Sequence, residues 1–383
     1  MGHRVSLGAI RAKAAAALAE TGFPGVRDEA WKFTATRGWA RREPLARPGP
    51  IDLSDRWYIR EDVPRLVFVD GHLDASWSRS PGGVEAIDRC PRLGELLPGD
   101  SGFAASSLAD FAGGAWVNGG GELLLVHVGT GAGVASVRHR LEVPAGQRLS
   151  VVTWFEGPAD ALVVAGTEVQ VGEEAALSWV DLQDVRGHAV HQFHGRVARG
   201  GSVDGGLVGL GAAVARVEVA LHLEEASRVS LVGLALGRAS QHQDFHTLLH
   251  HDGPGSVSRQ QFKAILGDSA RGVYSGRVVV GGGVAGCDVG QRSAALLLSD
   301  RAIANSRPQL EIHCDDVAAT HGSTVGQLDA EAMFFLAARG LDPRAASALL
   351  TTAFAAEILD RLPVERVRTA IRSQVESWLG GEA

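Results

Sequence analysis

The hydrophobic pattern divides the chain into three textures. Residues 9–20 are alanine-rich and predict a helix, closed by Thr21-Gly22 and Pro24. Residues 41–65, rich in Arg and Pro, read as a connector. From Gly113 to Leu310 the chain becomes a series of short apolar and β-branched runs, such as L-L-L-V-H-V, L-S-V-V-T-W-F and V-S-L-V-G-L-A-L, punctuated by glycines. Each run has strand length, and no long amphipathic helix interrupts them, which predicts a large all-β unit. A sandwich, a propeller or a solenoid would each satisfy that pattern. Hairpin-type Asn-Gly or Asp-Gly pairs are scarce, apart from Asp204-Gly205 and Asp252-Gly253, and this favours stacked parallel rungs. No strict short repeat is visible.

After His321 the period turns helical. Gln327 to Arg339 places Leu328, Met333, Phe334, Phe335 and Leu336 near one face and stops at Gly340, a natural left-handed C-cap. Asp342-Pro343 then caps and starts a second helix running through Leu349, Leu350, Phe354 and Ile358. Pro363 breaks it. A third helix carries Val364, Val367, Ile371, Val375 and Trp378.

With 383 residues, 45% hydrophobic, the chain can bury a substantial core and has room for about two or three domains. A net charge of -7 argues against a sequence-independent grip on nucleic acid, which needs clustered Lys and Arg. The N-terminus lacks an apolar signal core, and no run approaches the ~18 apolar residues of a membrane span, so the expectation is a cytoplasmic protein. The three cysteines, Cys90, Cys287 and Cys314, form no C-x-x-C pair and fit a reducing compartment. They are also too few for the four thiolates an iron-sulfur cluster usually takes.

Candidate chemistry is sparse. There is no G-x-x-x-x-G-K-[ST], so any ATP hydrolysis must come from a partner. Gly281, Gly283 and Gly286 match G-x-G-x-x-G without a βαβ context and read as a turn. In Q-H-Q-D-F-H-T-L-L-H-H, a strand would place His242, Asp244, His246 and His250 on one face, expected to be a solvated polar face because ligands from elsewhere would be needed to enclose an ion. His188, His191 and His194 recur every third residue and read as turn residues. His321 stands alone beside Asp315 and Asp316, after an apolar strand and before the helices.

From Pro308 the chain reads P-Q-L-E-I-H-C-D-D-V-A-A-T-H-G-S-T-V-G-Q-L-D, followed by M-F-F-L-A-A-R-G-L. Near the start, Glu29, Trp31, Lys32, Phe33 and Thr34 form an acid followed by W-K-F-T; between lie T-L-L-H-H, S-R-Q-Q-F-K, G-x-Y-S-G-R and L-L-L-S-D-R-A. This order resembles the SufB/SufD family of SUF-system iron-sulfur cluster assembly scaffolds, over nearly the whole chain. Within it the match is to the SufD side, since SufB-like chains usually carry a Glu-His-Glu corner and more cysteines.

The resemblance implies a mainly β protein: a right-handed parallel β-helix over residues 113–318, an N-terminal helical or mixed region over 1–112 and a C-terminal helical domain over 319–383. It implies a non-catalytic scaffold that pairs with a SufB-type paralogue and binds the SufC ATPase, which holds the ATP. No cofactor is held by the chain alone; the nascent iron-sulfur cluster is shared with SufB. Isolated chains could form a homodimer through the same β edge. No nucleic acid or membrane is implied.

His321 matches the family histidine and is the candidate cluster or iron ligand at the SufB interface. The family pattern D-D-V-x-C-x-H-G has Ala319 here where a cysteine is usual, and alternation puts Cys314 on the opposite face from residue 319. Phe334, Phe335, Leu349, Leu350 and Phe354 are candidate anchors of a SufC-docking face. Rival readings are a SufB-like or homodimeric scaffold, and a carbohydrate-active β-helix enzyme using Asp315 and Asp316.

Overall fold

The computed structural model describes residues 6–39 and 42–380. Helices α1 (Leu7–Thr21), α2 (Trp57–Arg60) and α3 (Gly102–Asp110) occupy the N-terminal part, together with strands β1 (Arg65–Val69), β2 (His72–Arg79), β3 (Val84–Ala86) and β4 (Ala115–Asn118). An unbroken strand series follows: β5 (Gly121–Val128), β6 (Gly133–Val143), β7 (Arg148–Gly157), β8 (Ala161–Val171), β9 (Ala176–Val185), β10 (His188–Val197), β11 (Ser202–Leu210) and β12 (Val214–Leu223). It continues through β13 (Arg228–Gly237), β14 (His242–His251), β15 (Val257–Leu266), β16 (Arg271–Val280), β17 (Cys287–Leu297), β18 (Ile303–Ile312) and β19 (Val317–Gly326). Helices α4 (Ala330–Ala338), α5 (Pro343–Leu359) and α6 (Glu365–Gly380) complete the chain.

Successive strands alternate between two sheets. The odd strands from β5 to β19, with β1 and β2, form a ten-stranded sheet; the even strands from β4 to β18, with β3, form a nine-stranded one. All pairings between the stacked rungs are parallel. The result is a parallel β-solenoid of about eight turns, as the small-residue turns and the family resemblance predicted. Only β1–β2 and β3–β4 are antiparallel, and both lie at the N-terminal end.

One corner shows why the rungs stack in register. Gly146, Glu174, Gly200, Ala226, Gly255 and Gly286 all have positive φ, between 53° and 71°. Each donates its N–H to a carbonyl in the same turn one rung on: Glu173, Arg199, Glu225, Pro254, Ala285 and Asp316. The left-handed conformation, which glycine adopts at no steric cost, aims the amide along the solenoid axis. Successive members lie 26 to 31 residues apart. That drift, and Glu174 and Ala226 where glycine is expected, hide the repeat from sequence periodicity.

Two cores hold the molecule together. The lumen between the sheets is filled by alternate side chains of the strands, among them Leu125, Val151, Trp179, Phe193, Phe245 and Phe262. The outer face of the ten-stranded sheet, through Val180, Val208, Leu234 and Ile265, packs against Ala355, Ile358, Ile371 and Trp378 of α5 and α6. The outer face of the nine-stranded sheet lies under the N-terminal segment. There Trp31 and Trp39 pack with Phe103, Leu162, Val164 and Val190.

His188, His191 and His194 lie within β10 and not in a turn. Spacing of three breaks the alternation, so His191 points into the lumen, bonded to Asp181 (2.5 Å) and Thr167 (2.8 Å), whereas His188 and His194 sit on the outer face. His242 and Asp244 share the outer face with His246 and His250, as expected. They are buried and not solvated, because the N-terminal segment covers them.

Candidate functional site

The C-terminal end of the solenoid is open. β18 pairs with β16 and β19 with β17; among the described residues nothing pairs with the outer edge of either. Residues 317–326 thus form a strand that crosses the expected boundary at 318, and the helical region begins at Ala330. V-A-A-T-H-G-S-T-V-G lacks apolar alternation because this last rung has a neighbour on one side only and six consecutive residues from His321 onward are exposed.

Val317 and Ala319 pack against the lumen core, so alternation places His321 on the same, inward face of β19. It is exposed because no further rung covers it. Register aligns it with Gln291 of β17 and, one strand further in, Gln260 of β15. Gln260 accepts hydrogen bonds from the Thr247 hydroxyl (2.5 Å) and the Tyr274 hydroxyl (3.3 Å). Burial pushes the Tyr274 phenol well up, so it remains a donor. Gln291 is buried with neither amide atom partnered. A Cβ at Gly276 would collide with the Tyr274 hydroxyl and lie 2.9 Å from Gln291 Nε2.

A polar row therefore runs from Thr247 through Gln260 and Gln291 to His321 at this end of the lumen. The motifs T-L-L-H-H, S-R-Q-Q-F-K and G-x-Y-S-G-R meet in it, through Thr247, Gln260 and Tyr274. Sequence reasoning missed this convergence. The signal was polar residues at lumen parity, which becomes readable only once strand register is known.

Cys314 is not opposite Ala319. β18 ends at Ile312, the turn 313–316 breaks the alternation, and Cys314 and Ala319 pack against the same end of the lumen core. Asp315 and Asp316 are exposed in that turn, and the Asp316 carbonyl takes the last bond of the corner ladder, from Gly286 N (2.8 Å). That is a backbone role that needs no acid–base chemistry. On the neighbouring edge, hydrogen bonds from Arg277 and His313 hold the Glu311 carboxyl below its usual range.

The acid and W-K-F-T near the start clamp the nine-stranded sheet. Trp31 is buried and stacks under the Arg216 guanidinium, 3.8 Å from carbon to ring centre. Thr34 bonds to Asp244 and to His242 Nε2 (2.8 Å), and Glu29 pairs with Arg307 of β18 (2.5 Å). Arg216 in turn bridges Asp244 (2.6 Å) and Glu218 (2.5 Å), fully buried. Although burial favours its neutral form, Arg216 and then His246 hold the Asp244 carboxyl far below the usual range.

On the C-terminal helices, Phe334, Phe335 and Leu349 are exposed by 77%, 55% and 50%. Leu350 is half-buried, and Phe354 packs into the second core with Lys263 Nζ 4.1 Å from its ring centre. α4 buries none of its residues. Three of the five expected anchors are thus free on the surface, and Phe354 is engaged within the chain. Among the described residues no helix is long and apolar enough to cross a membrane.

Residues 127–354 match the family model for the SufBD core domain of SUF-system iron-sulfur cluster assembly. The chain is 28% identical to the iron-sulfur cluster assembly protein SufD of Escherichia coli, over 96% of this chain and 92% of that protein. It is 28% identical to an iron-sulfur cluster assembly SufBD family protein of Mycobacterium tuberculosis, covering 93% and 89%. A SufD of Bacillus subtilis is 30% identical over 37% of this chain and 33% of its own.

Proposed function

The chain belongs to the SufBD core family of SUF-system iron-sulfur cluster assembly proteins, and on that premise we propose that it is a non-catalytic scaffold whose open solenoid end pairs with a SufB-type paralogue. Its role is in iron-sulfur cluster assembly. The observation that carries the finer reading is the position of His321, exposed at the lumen rim on a strand whose outer edge is free. An exposed parallel edge offers a row of unpaired amides and carbonyls that a second solenoid edge can satisfy.

Such pairing brings His321 against the partner's strand. A neutral imidazole is a good iron ligand, and with Ala319 unable to supply a thiolate, His321 is the exposed donor this corner offers to a nascent cluster whose thiolates come from SufB, the nearby Cys314 being half-buried at the same end of the lumen. The cluster is cargo here. The exposed Phe334, Phe335 and Leu349 face is proposed to dock the SufC ATPase, because an apolar helix surface of this kind marks a protein contact.

Co-expression with SufB-type and SufC-type subunits tests both parts. His321→Ala is expected to give an intact complex with reduced iron and acid-labile sulfide; unchanged cluster content would refute the ligand role. Phe334→Glu/Phe335→Glu is expected to lose the ATPase while keeping the paralogue. A tight homodimer that no SufB-type chain displaces would refute the heterodimer.

A further inference from the structure

A second constellation lies on the outer face of the nine-stranded sheet, built by neighbouring rungs. His222, near the end of β12, is in register with His250 of β14. Their imidazoles lie one above the other with centroids 4.6 Å apart and planes 5° apart. Asp252, in the turn just after β14, reaches back so that its Oδ2 is 2.7 Å from His222 Nδ1. One ligand atom from each residue falls within 4.8 Å of the others.

Strand alternation alone gives His250 only neighbours on its own strand. Parallel stacking supplies the missing ligands, one from the preceding rung and one from the turn. Without metal the His222 Nδ1–H donates to Asp252 Oδ2; a metal ion takes the place of that shared proton, with His222 in its Nε2–H tautomer, so that Nδ1 and the carboxylate oxygen become two of its ligands. Both rings are half-buried, so rotation about their outer torsions can turn the parallel lone pairs toward one point. The nearest cations do not oppose a positive ion: Arg196 of β10 pairs with Glu224 (3.7 Å), and Arg277 of β16 pairs with Glu311.

We propose that His222, His250 and Asp252 bind one divalent first-row transition-metal ion. Two imidazole nitrogens and one carboxylate oxygen suit Fe2+, Co2+, Ni2+ or Zn2+, and disfavour Mg2+ and Ca2+, which take all-oxygen shells. Three protein ligands leave coordination positions open to water or to an incoming ligand. The site is independent of His321 and of the scaffold reading.

Co2+ is the probe, titrated into the full-length apo protein by calorimetry and followed by its visible d–d absorption. Wild type is expected to take up one Co2+ whose spectrum is lost on adding Zn2+, which binds the same donors more tightly. His222→Ala and His250→Ala should each weaken that site about 100-fold or abolish it, and Asp252→Asn should weaken it about 10- to 100-fold. His313→Ala, at a histidine outside the cluster, should leave it intact. The ligands are at the surface, so the variants should melt with wild type, which separates ligand loss from misfolding. Absence of a Co2+ site in wild type, or Co2+ binding unchanged in a His222→Ala/His250→Ala variant, would overturn the proposal.

Discussion

Three buried histidines should make this solenoid acid-sensitive, and His127 allows the effect to be isolated. His127 lies between Phe68 and Phe155 in the lumen, with ring centres 5.6 and 4.8 Å away and neither nitrogen partnered. Desolvation, then the neighbouring His139 and His191, hold its pKa well below the usual value. Burial lowers His139 to about 3 and His251 to about 4. Each is neutral when folded but binds a proton near pH 6.5 when unfolded. A depressed histidine therefore costs nothing at pH 7, and stability falls as pH drops through the unfolded value. Between pH 7 and pH 5 each such group removes about 1.9 kcal/mol, or roughly 5–6 kcal/mol for the three. Asp184 works the other way: burial and Glu156 raise it to about 7. It stabilises on acidification by about 2 kcal/mol over the same interval and so offsets part of that loss.

The perturbation is His127→Phe, which continues the Phe68–Phe155 ladder without a titrating group. The assay is the apparent chemical-unfolding midpoint of both proteins at pH 7 and pH 5. The variant should lose about 1.9 kcal/mol less than wild type on acidification. It should also gain about 1 kcal/mol at pH 7, since two unpartnered buried polar atoms are removed. Equal pH dependence in the two proteins, or a wild type that grows more stable toward pH 5, would refute the reasoning.

Other perturbations test the framework around the site. Ala226→Gly, at φ 54°, relieves left-handed strain and should raise stability by about 0.5–1 kcal/mol after allowing for the freer unfolded chain, read as a higher melting temperature. Arg216→Met strands the buried Asp244 carboxylate and removes the platform under Trp31; a loss of about 3–5 kcal/mol is expected in denaturant unfolding. Gly276→Ala forces the Tyr274 hydroxyl off Gln260, and Tyr274→Phe should reproduce part of the resulting loss in melting temperature.

What the sequence revealed depended on how local the physics was. The helix boundaries were legible because capping is local: Gly340 has φ 91°, and the Asp342 side chain accepts from Ala345 N. The strands of the all-β unit were legible from β-branched runs with two buried faces. β19 was not, because a strand with one neighbour and an open end carries no burial signature. His191 was misread because its spacing from His188 suggested a turn, while its partner, Asp181, lies on another strand. The polar row to His321 and the clamp of Trp31 and Thr34 on Arg216 and Asp244 depend on register between segments up to 210 residues apart, which no local window contains.

The two ends of the solenoid also differ in valence. At the N-terminal end the outermost strands run against the rest. β2 sits on a bulged pairing with β1, and β3 is three residues long, so the end offers a poor template for another rung. At the other end β18 and β19 present two ten-residue edges, each parallel to the strand stacked beneath it. A second molecule of this architecture that pairs there uses up its own good edge in doing so, and the doublet then exposes only blunted ends. If two such chains pair there about a two-fold or pseudo-two-fold axis, growth along the solenoid axis stops at two, where a solenoid with matching ends would polymerise into a fibre.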